Sequence, residues 1–140
     1  VLEHIENVGE TLDELNRVLK NNGKMFITSP FLWKEHEKPY DFQRFTSFGI
    51  KRIIEQKGFK ILTQKKLVQN KLAIIELVES ELNDKIKLNQ KAKPFLFFSK
   101  IYYFIIKNII KIIIKLFIND QLFRDYYIGN CVIAEKIIDK

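Results

Sequence analysis

The chain has 140 residues with 24 Lys and Arg against 17 Asp and Glu, a formal net charge of +7, and 46% hydrophobic and 13% aromatic residues. That length makes one domain at most, and one Cys with two His excludes an internal disulfide and argues against a structural zinc centre, so no metal is expected. No basic segment followed by a cleavable apolar stretch reads as a signal peptide, and a cytoplasmic placement is expected.

Charge is unevenly placed. Residues 1–60 carry 10 basic and 9 acidic side chains, whereas residues 61–140 carry 14 and 8. The basic excess therefore belongs to whatever the carboxyl-terminal part faces.

Residues 1–10 read as a turn, with Glu3 and His4 in it. Thr11 and Glu14 have capping-box spacing, which predicts a helix from Leu12. Leu12, Leu15, Val18 and Leu19 form its apolar stripe, and Asn22-Gly23 its stop. The apolar run Met25-Phe26-Ile27 predicts a strand covered on both faces and stopped by Pro30. Phe31 to Phe45 follows with no periodicity, and a loop of this length in a compact domain is usually functional or disordered. Its rings, Phe31, Trp33, Tyr40, Phe42 and Phe45, argue against disorder. Charged residues alternate with them, the composition of an ordered lid over a pocket.

Thr46 or Ser47 predicts the cap of a helix over 48–57, with Ile50, Ile53 and Ile54 inward and Gly58 as its stop. Residues 59–68 read as a strand. Between Lys71 and Leu82 the residues Leu72, Ile75, Val78 and Leu82 fit a helix. The lysine-rich stretch 84–94, closed by Pro94, reads as a linker or insertion boundary.

Residues 95–118 are apolar and aromatic except for Lys100, Lys107, Lys111 and Lys115, which share one helical face, and Asn108 at its edge. Four lysines make a bilayer span expensive. Three readings stay open: a helix in the membrane interface with lysines toward anionic headgroups, a helix packed on the domain or a partner with only its lysine edge wet, and, least favoured, a bilayer span. Tyr127 to Ile133 reads as a last strand, with Cys131 a small buried hydrophobe.

The string LEHI, the helix ending in RVLKNNGK, the strand MFITSP, the later HEKPYDFQRFT and the helix ending in GF together resemble the second half of a class I S-adenosylmethionine-dependent methyltransferase domain of the type 11 kind. The resemblance covers residues 1 to about 67 plus a last strand near 127–136. It implies an α/β fold with an incomplete Rossmann-like methyltransferase sheet and an added hydrophobic helical segment. The implied organisation is residues 1–68 as half of the domain, 69–126 as a helical insertion, and 127–136 as the last strand. The family's first strand, its glycine-rich loop and its ribose-holding acidic residue have no counterpart here. The chain is therefore expected to be a fragment, inactive alone, whose cofactor is bound mainly by the missing amino-terminal half.

The resemblance also implies roles. Glu3 and His4 would border S-adenosylmethionine; Pro30, His36, Asp41 and Arg44 would lie on the acceptor side, facing a small molecule or glycan. His4 and His36 are the catalytic candidates, because an imidazole near neutrality can take a proton from an attacking oxygen or nitrogen. The structural alternatives are that both His only satisfy backbone groups and that Asp41 and Arg44 form a local ion pair. The alternative function is a non-enzymatic membrane-surface or partner-binding module using residues 95–118. Nucleic-acid binding is disfavoured, since the basic residues alternate with bulky aliphatics rather than exposed aromatics.

Overall fold

The computed structural model describes residues 1–88 and 96–137. The chain divides into two compact units, residues 1–67 with 127–140, and residues 68–126. In the first unit a 3-10 turn (Leu2–His4) precedes helix α1 (Val8–Val18), strand β1 (Lys24–Pro30), helix α2 (Ser47–Gln56), strand β2 (Phe59–Gln69) and, after the second unit, strand β3 (Tyr127–Lys136). The second unit contains helices α3 (Lys71–Leu88) and α4 (Leu96–Phe117) and a short 3-10 turn at Asp120–Phe123.

Helix α1 begins a turn earlier than the capping-box spacing predicts. Its cap is Asn7, whose side chain accepts from the Glu10 amide at 3.2 Å. The Thr11 hydroxyl instead donates back to the Asn7 carbonyl, and Glu14 pairs with Arg17 in solvent. An Asx cap satisfies the same orphan amides as a Thr cap, and starting at Val8 brings one more apolar residue onto the inner face. The buried stripe is thus Val8 and Leu12, continued by the partly buried Leu15 and Leu19, while Val18 is exposed. The left-handed residue after the helix is Asn22, at φ 61°, rather than Gly23. Gly23 is needed for space: a Cβ there would lie 2.6 Å from the Lys20 carbonyl oxygen.

Strand β1 alternates between exposed and buried side chains, so it is covered on one face, with Phe26 on the open side. The expected two-sided burial fails because the sheet is small. It has three strands in the order β1-β3-β2, with β1 and β3 antiparallel in the register Met25 to Ala134, Ile27 to Val132 and Ser29 to Asn130. The α/β class holds, but the described sheet is antiparallel rather than a run of parallel strands, with β3 inserted between the two strands that α2 connects. Pro30 ends β1 on an outer strand of the sheet, a position compatible with its missing amide. Cys131, paired opposite Thr28, points away from the core and is only partly buried, so it is not the buried hydrophobe expected.

The core joins Leu2, Val8 and Leu12 to Met25, Ile27, Val132 and Ala134 of the sheet and to Ile50, Ile54 and Phe59. Thr46 caps α2, accepting from the Gly49 amide at 3.0 Å, and the Tyr127 hydroxyl accepts from the Ser47 amide at 2.7 Å. Lys136, 9% exposed, donates to the carbonyls of Asn16 and Leu19 at 2.6 and 3.2 Å. A cation among the last carbonyls of a helix both caps them and opposes their dipole. This contact ties the end of α1 to the end of β3.

In the second unit α3 runs past Leu82, so residues 84–88 of the expected linker are helical; residues 89–94 lie outside the described residues. Leu72 is exposed and Ala73, Ile75 and Ile114 are buried. Helix α4 turns its lysine face toward α3. Lys111 forms an ion pair with Glu79, whose second oxygen lies 3.5 Å from Lys107, and the Lys107 and Lys111 side chains are only 25% and 34% exposed. A wide aliphatic and aromatic face, including Phe104, Ile105, Ile112, Leu116 and Phe117, is left exposed. Glu79 on α3 thus draws two of the four lysines inward, while Lys115 stays exposed as expected of a wet lysine edge. Pro94 and Phe95 and the Lys100 side chain lie outside the described residues. No described helix is long and apolar enough to cross a membrane.

Candidate functional site

The site is built where the Leu2–His4 turn meets the loop that leaves the carboxyl end of β1. Leu2, buried in the core, anchors the turn and draws Glu3 down to 6% exposure. The loop is stitched to it: the Phe42 amide donates to the Glu3 carbonyl at 2.8 Å, and the Gln43 side chain donates to the carbonyls of Leu2 and Ile5 at 3.3 and 2.6 Å. These bonds join segments nearly forty residues apart and fix the backbone on which the site residues stand.

Asp41 and Arg44 hold the loop in shape. Arg44 grips both carboxylate oxygens, its Nη2 at 2.6 Å from Oδ2, and donates also to the carbonyls of Lys34 and Gln43 at 3.2 and 2.9 Å. The Asp41 carboxylate further accepts from the His36 amide at 2.9 Å, and its side chain is 2% exposed. The hydrogen-bonded Arg44 guanidinium holds the Asp41 carboxyl far below the usual carboxylate range, and Asp41 in turn raises the Arg44 pKa. Asp41 and Arg44, expected to face an acceptor, are thus engaged with each other and with the loop backbone. A surface cleft lined by Glu35, Lys38, Pro39 and Asp41 opens on the same loop and includes neither His.

His4 and His36 come from segments 32 positions apart and meet edge to face, ring centroids 4.8 Å apart. Nδ1 of His4 lies 2.7 Å from the Tyr40 carbonyl oxygen. Nδ1 of His36 lies 3.2 Å from the Lys34 carbonyl oxygen and 3.3 Å from Asp41 Oδ2. Carbonyl and carboxylate oxygens only accept, so Nδ1 carries a proton in both rings and Nε2 is the nitrogen each ring presents away from them. Both Nε2 atoms are turned to the same carboxylate oxygen, Glu3 Oε1, at 3.5 Å from His4 and 3.8 Å from His36. The other Glu3 oxygen accepts from the Val1 nitrogen at 2.7 Å. Burial pushes the Glu3 carboxyl up, but the hydrogen bonds it accepts and the charges beside it leave its pKa below the ordinary value. One ligand atom each from Glu3, His4 and His36 lie within 4.8 Å of one another, a spacing that a cation could bridge.

Of the expected site residues, then, the fold brings Glu3, His4 and His36 together, commits Asp41 and Arg44 to the loop, and leaves Pro30 as the last residue of β1. The Tyr40 and Lys34 carbonyls that orient the two rings were not foreseen; backbone acceptors have no sequence signal. Nor were Ser29 and Asn130. The core face of β1 and β3 is apolar at Met25, Ile27, Val132 and Ala134 and turns polar at this last pair. The Ser29 hydroxyl and the Asn130 side-chain oxygen are buried without a hydrogen-bond partner, though the Asn130 amide donates to the Phe45 carbonyl at 2.8 Å. A polar residue breaking an apolar alternation was the available signal.

The fit to S-adenosylmethionine is partial. Its phosphate-free cradle needs a glycine turn whose open side admits a ligand, but each of the five glycines has an atom of this chain within 3.4 Å of where a Cβ would stand. Only the Glu3 and His4 edge, an anionic and acceptor-rich surface, suits a cationic or hydroxylated group.

No protein-family model matches the chain, and no curated protein matches it. Among solved structures it is similar to phosphoethanolamine N-methyltransferase 2 of Haemonchus contortus, solved in complex with S-adenosyl-L-methionine, at 17% identity and a TM-score of 0.48. The match covers 99% of this chain and 32% of that one, so the chain spans about a third of its neighbour's length.

Proposed function

We propose that this chain supplies the acceptor-side part of an S-adenosylmethionine-dependent methyltransferase acting on a small-molecule or glycan acceptor. The observation that carries the reading is the convergence of Glu3, His4 and His36 beside the loop that leaves β1. Open α/β sheets place ligands outside the carboxyl ends of strands, and the same residues sit in the LEHI and HEKPYDFQRFT strings that carry the family resemblance. The methyl donor supplies a methyl group already activated by positive sulfur, so the protein's task is alignment and exclusion of water.

For a hydroxyl acceptor, Nε2 of His4 or His36 takes the proton from the attacking oxygen. Glu3 Oε1 then stabilises the imidazolium that forms, and the Tyr40 and Lys34 carbonyls hold each ring in the required tautomer. The aromatic loop closes over the acceptor. Calorimetric titration of the product of the complete reading frame with S-adenosylmethionine tests the reading. Saturable binding is expected, and a folded full-length protein that does not bind would overturn it.

A second reading rests on α4, whose apolar face is exposed while Lys107 and Lys111 turn to Glu79. Exposed apolar faces of this breadth mark interaction sites, and the lipid interface is the occupant proposed, with the rings of Phe98, Tyr102 and Phe104 inserted. Stronger binding to anionic than to neutral vesicles is expected, since Lys115 stays exposed on the same helix and the chain carries a net charge of +7; no binding to either would remove this reading.

A further inference from the structure

We propose that Glu3, His4 and His36 form a binding site for one divalent transition-metal ion, with zinc the best-suited probe. The site uses side chains that also figure in the methyl-transfer reading, and with the ion bound neither Nε2 can serve as the base, so the metal takes over that task; the site itself rests on geometry alone and holds whether or not the chain serves a methyltransferase.

Three observations carry it. First, the tautomers are fixed. Nδ1 of His4 donates to the Tyr40 carbonyl at 2.7 Å, and Nδ1 of His36 faces the Lys34 carbonyl and Asp41 at 3.2 and 3.3 Å, so both Nε2 lone pairs are free to ligate. Ligating imidazoles are oriented in this way, with the far ring N–H on a carbonyl or carboxylate. Second, the three ligand atoms converge. Around a tetrahedral zinc with bonds near 2.1 Å, neighbouring ligand atoms stand about 3.4 Å apart; Glu3 Oε1 already lies 3.5 Å from His4 Nε2 and 3.8 Å from His36 Nε2, and the whole set spans no more than 4.8 Å. Third, no hydrogen bond among the described residues joins Glu3 Oε1 to either Nε2, so the carboxylate oxygen is shared between two ring nitrogens at 3.5 and 3.8 Å, the arrangement that one bridging cation completes.

The surroundings suit an ion reached from solvent. Glu3 is buried, the His4 and His36 side chains are 21% and 31% exposed, and the exposed Glu37 carboxylate lies 3.8 Å from His4 Nε2 on the open side. The opposing charge is Arg44, which is held by Asp41. Two imidazoles and one carboxylate select zinc or a neighbouring divalent ion over magnesium or calcium, which prefer all-oxygen shells. Three protein ligands leave a position open, so an oxygen acceptor bound there would lose its proton more readily.

The test titrates zinc and then cobalt into the chelator-stripped full-length protein, with no methyl donor present. One equivalent is expected to bind, with cobalt giving the ligand-field absorption of a low-coordinate nitrogen and oxygen site. Nitrogen NMR reads the site once the His4 and His36 resonances are assigned from the single variants: both Nε2 resonances shift on zinc addition while both Nδ1 protons persist. His4→Gln and His36→Gln are each expected to weaken binding by about 100-fold or more. Asp41→Asn, which only loosens the positioning of His36, is expected to weaken it about tenfold. Zinc bound equally well by the double His variant, absence of stoichiometric binding, or Nε2 resonances that respond only to protonation would each overturn the proposal. None of these results bears on methyl-donor binding.

Discussion

The two units handle charge in opposite ways. In the first unit apolar stripes of α1 and α2 face the sheet and ionised groups close the margins, Lys136 on the last carbonyls of α1 and Asp41 with Arg44 in the loop. In the second, α4 turns Lys107 and Lys111 onto Glu79 of α3 and leaves a broad apolar face outside. Both arrangements obey the same helical period. The period says that a helix has two faces; which face is covered depends on what the neighbouring element offers.

Three substitutions probe this contrast. The largest effect is expected from Ile54→Ala in the first unit, where the side chain is fully buried. Loss of its transfer energy plus the cavity left behind should cost about 2–5 kcal/mol in urea unfolding, and a cost under about 1 kcal/mol would mean that α2 does not carry the core.

Next comes Glu79→Ala in the second unit, which leaves two partly buried ammonium groups facing a helix without a partner. Because both lysines retain some water contact, the penalty is set below that of a fully buried pair, at roughly 1–2 kcal/mol. Replacing Glu79, Lys107 and Lys111 together by Leu and Met should be neutral or stabilising. A triple variant as destabilised as Glu79→Ala would show that the lysines are held by something other than Glu79.

The most local effect is expected from Asp41→Asn. Its folded pKa lies far below the unfolded value of about 3.9. Asp41 therefore contributes stability that is complete above that unfolded value and is lost as pH falls through the folded pKa, in strong acid. Trp33, the chain's one Trp and half-buried in this loop, reports on it. Its emission should hold steady in the native protein from neutral pH down to about pH 4 and be altered in Asp41→Asn throughout. Emission in the native protein that changes between pH 7 and 5 would show that Asp41 does not govern the loop.

Much of the framework could be read locally. Thr46 before a run with isoleucines at 50, 53 and 54, and Gly58 after it, specified α2 to within a residue, and Gly58 does take a left-handed φ of 77°. The strands at 24–30, 59–69 and 127–136 lie where apolar runs between turn residues put them. Such features depend on neighbours a few positions apart, which the sequence lays side by side.

Other features turned on distant partners. Whether Thr11 or Asn7 caps α1 was settled by how many apolar residues the sheet could cover. Whether Met25 to Ile27 is buried on one face or two was settled by the size of the sheet. The inward turn of Lys107 and Lys111 depends on Glu79, almost thirty positions earlier. The site shows the division most sharply. The sequence by itself supplied Glu3, His4 and His36 as side chains able to move protons or hold a ligand. Only the tertiary structure decided that they converge on one carboxylate oxygen and that two backbone carbonyls fix both rings. It also decided that Asp41 and Arg44 serve the loop. Chemistry is a property of single residues and is written in the sequence; convergence requires two segments to be held together, and that is accomplished by backbone hydrogen bonds and core contacts far apart along the chain.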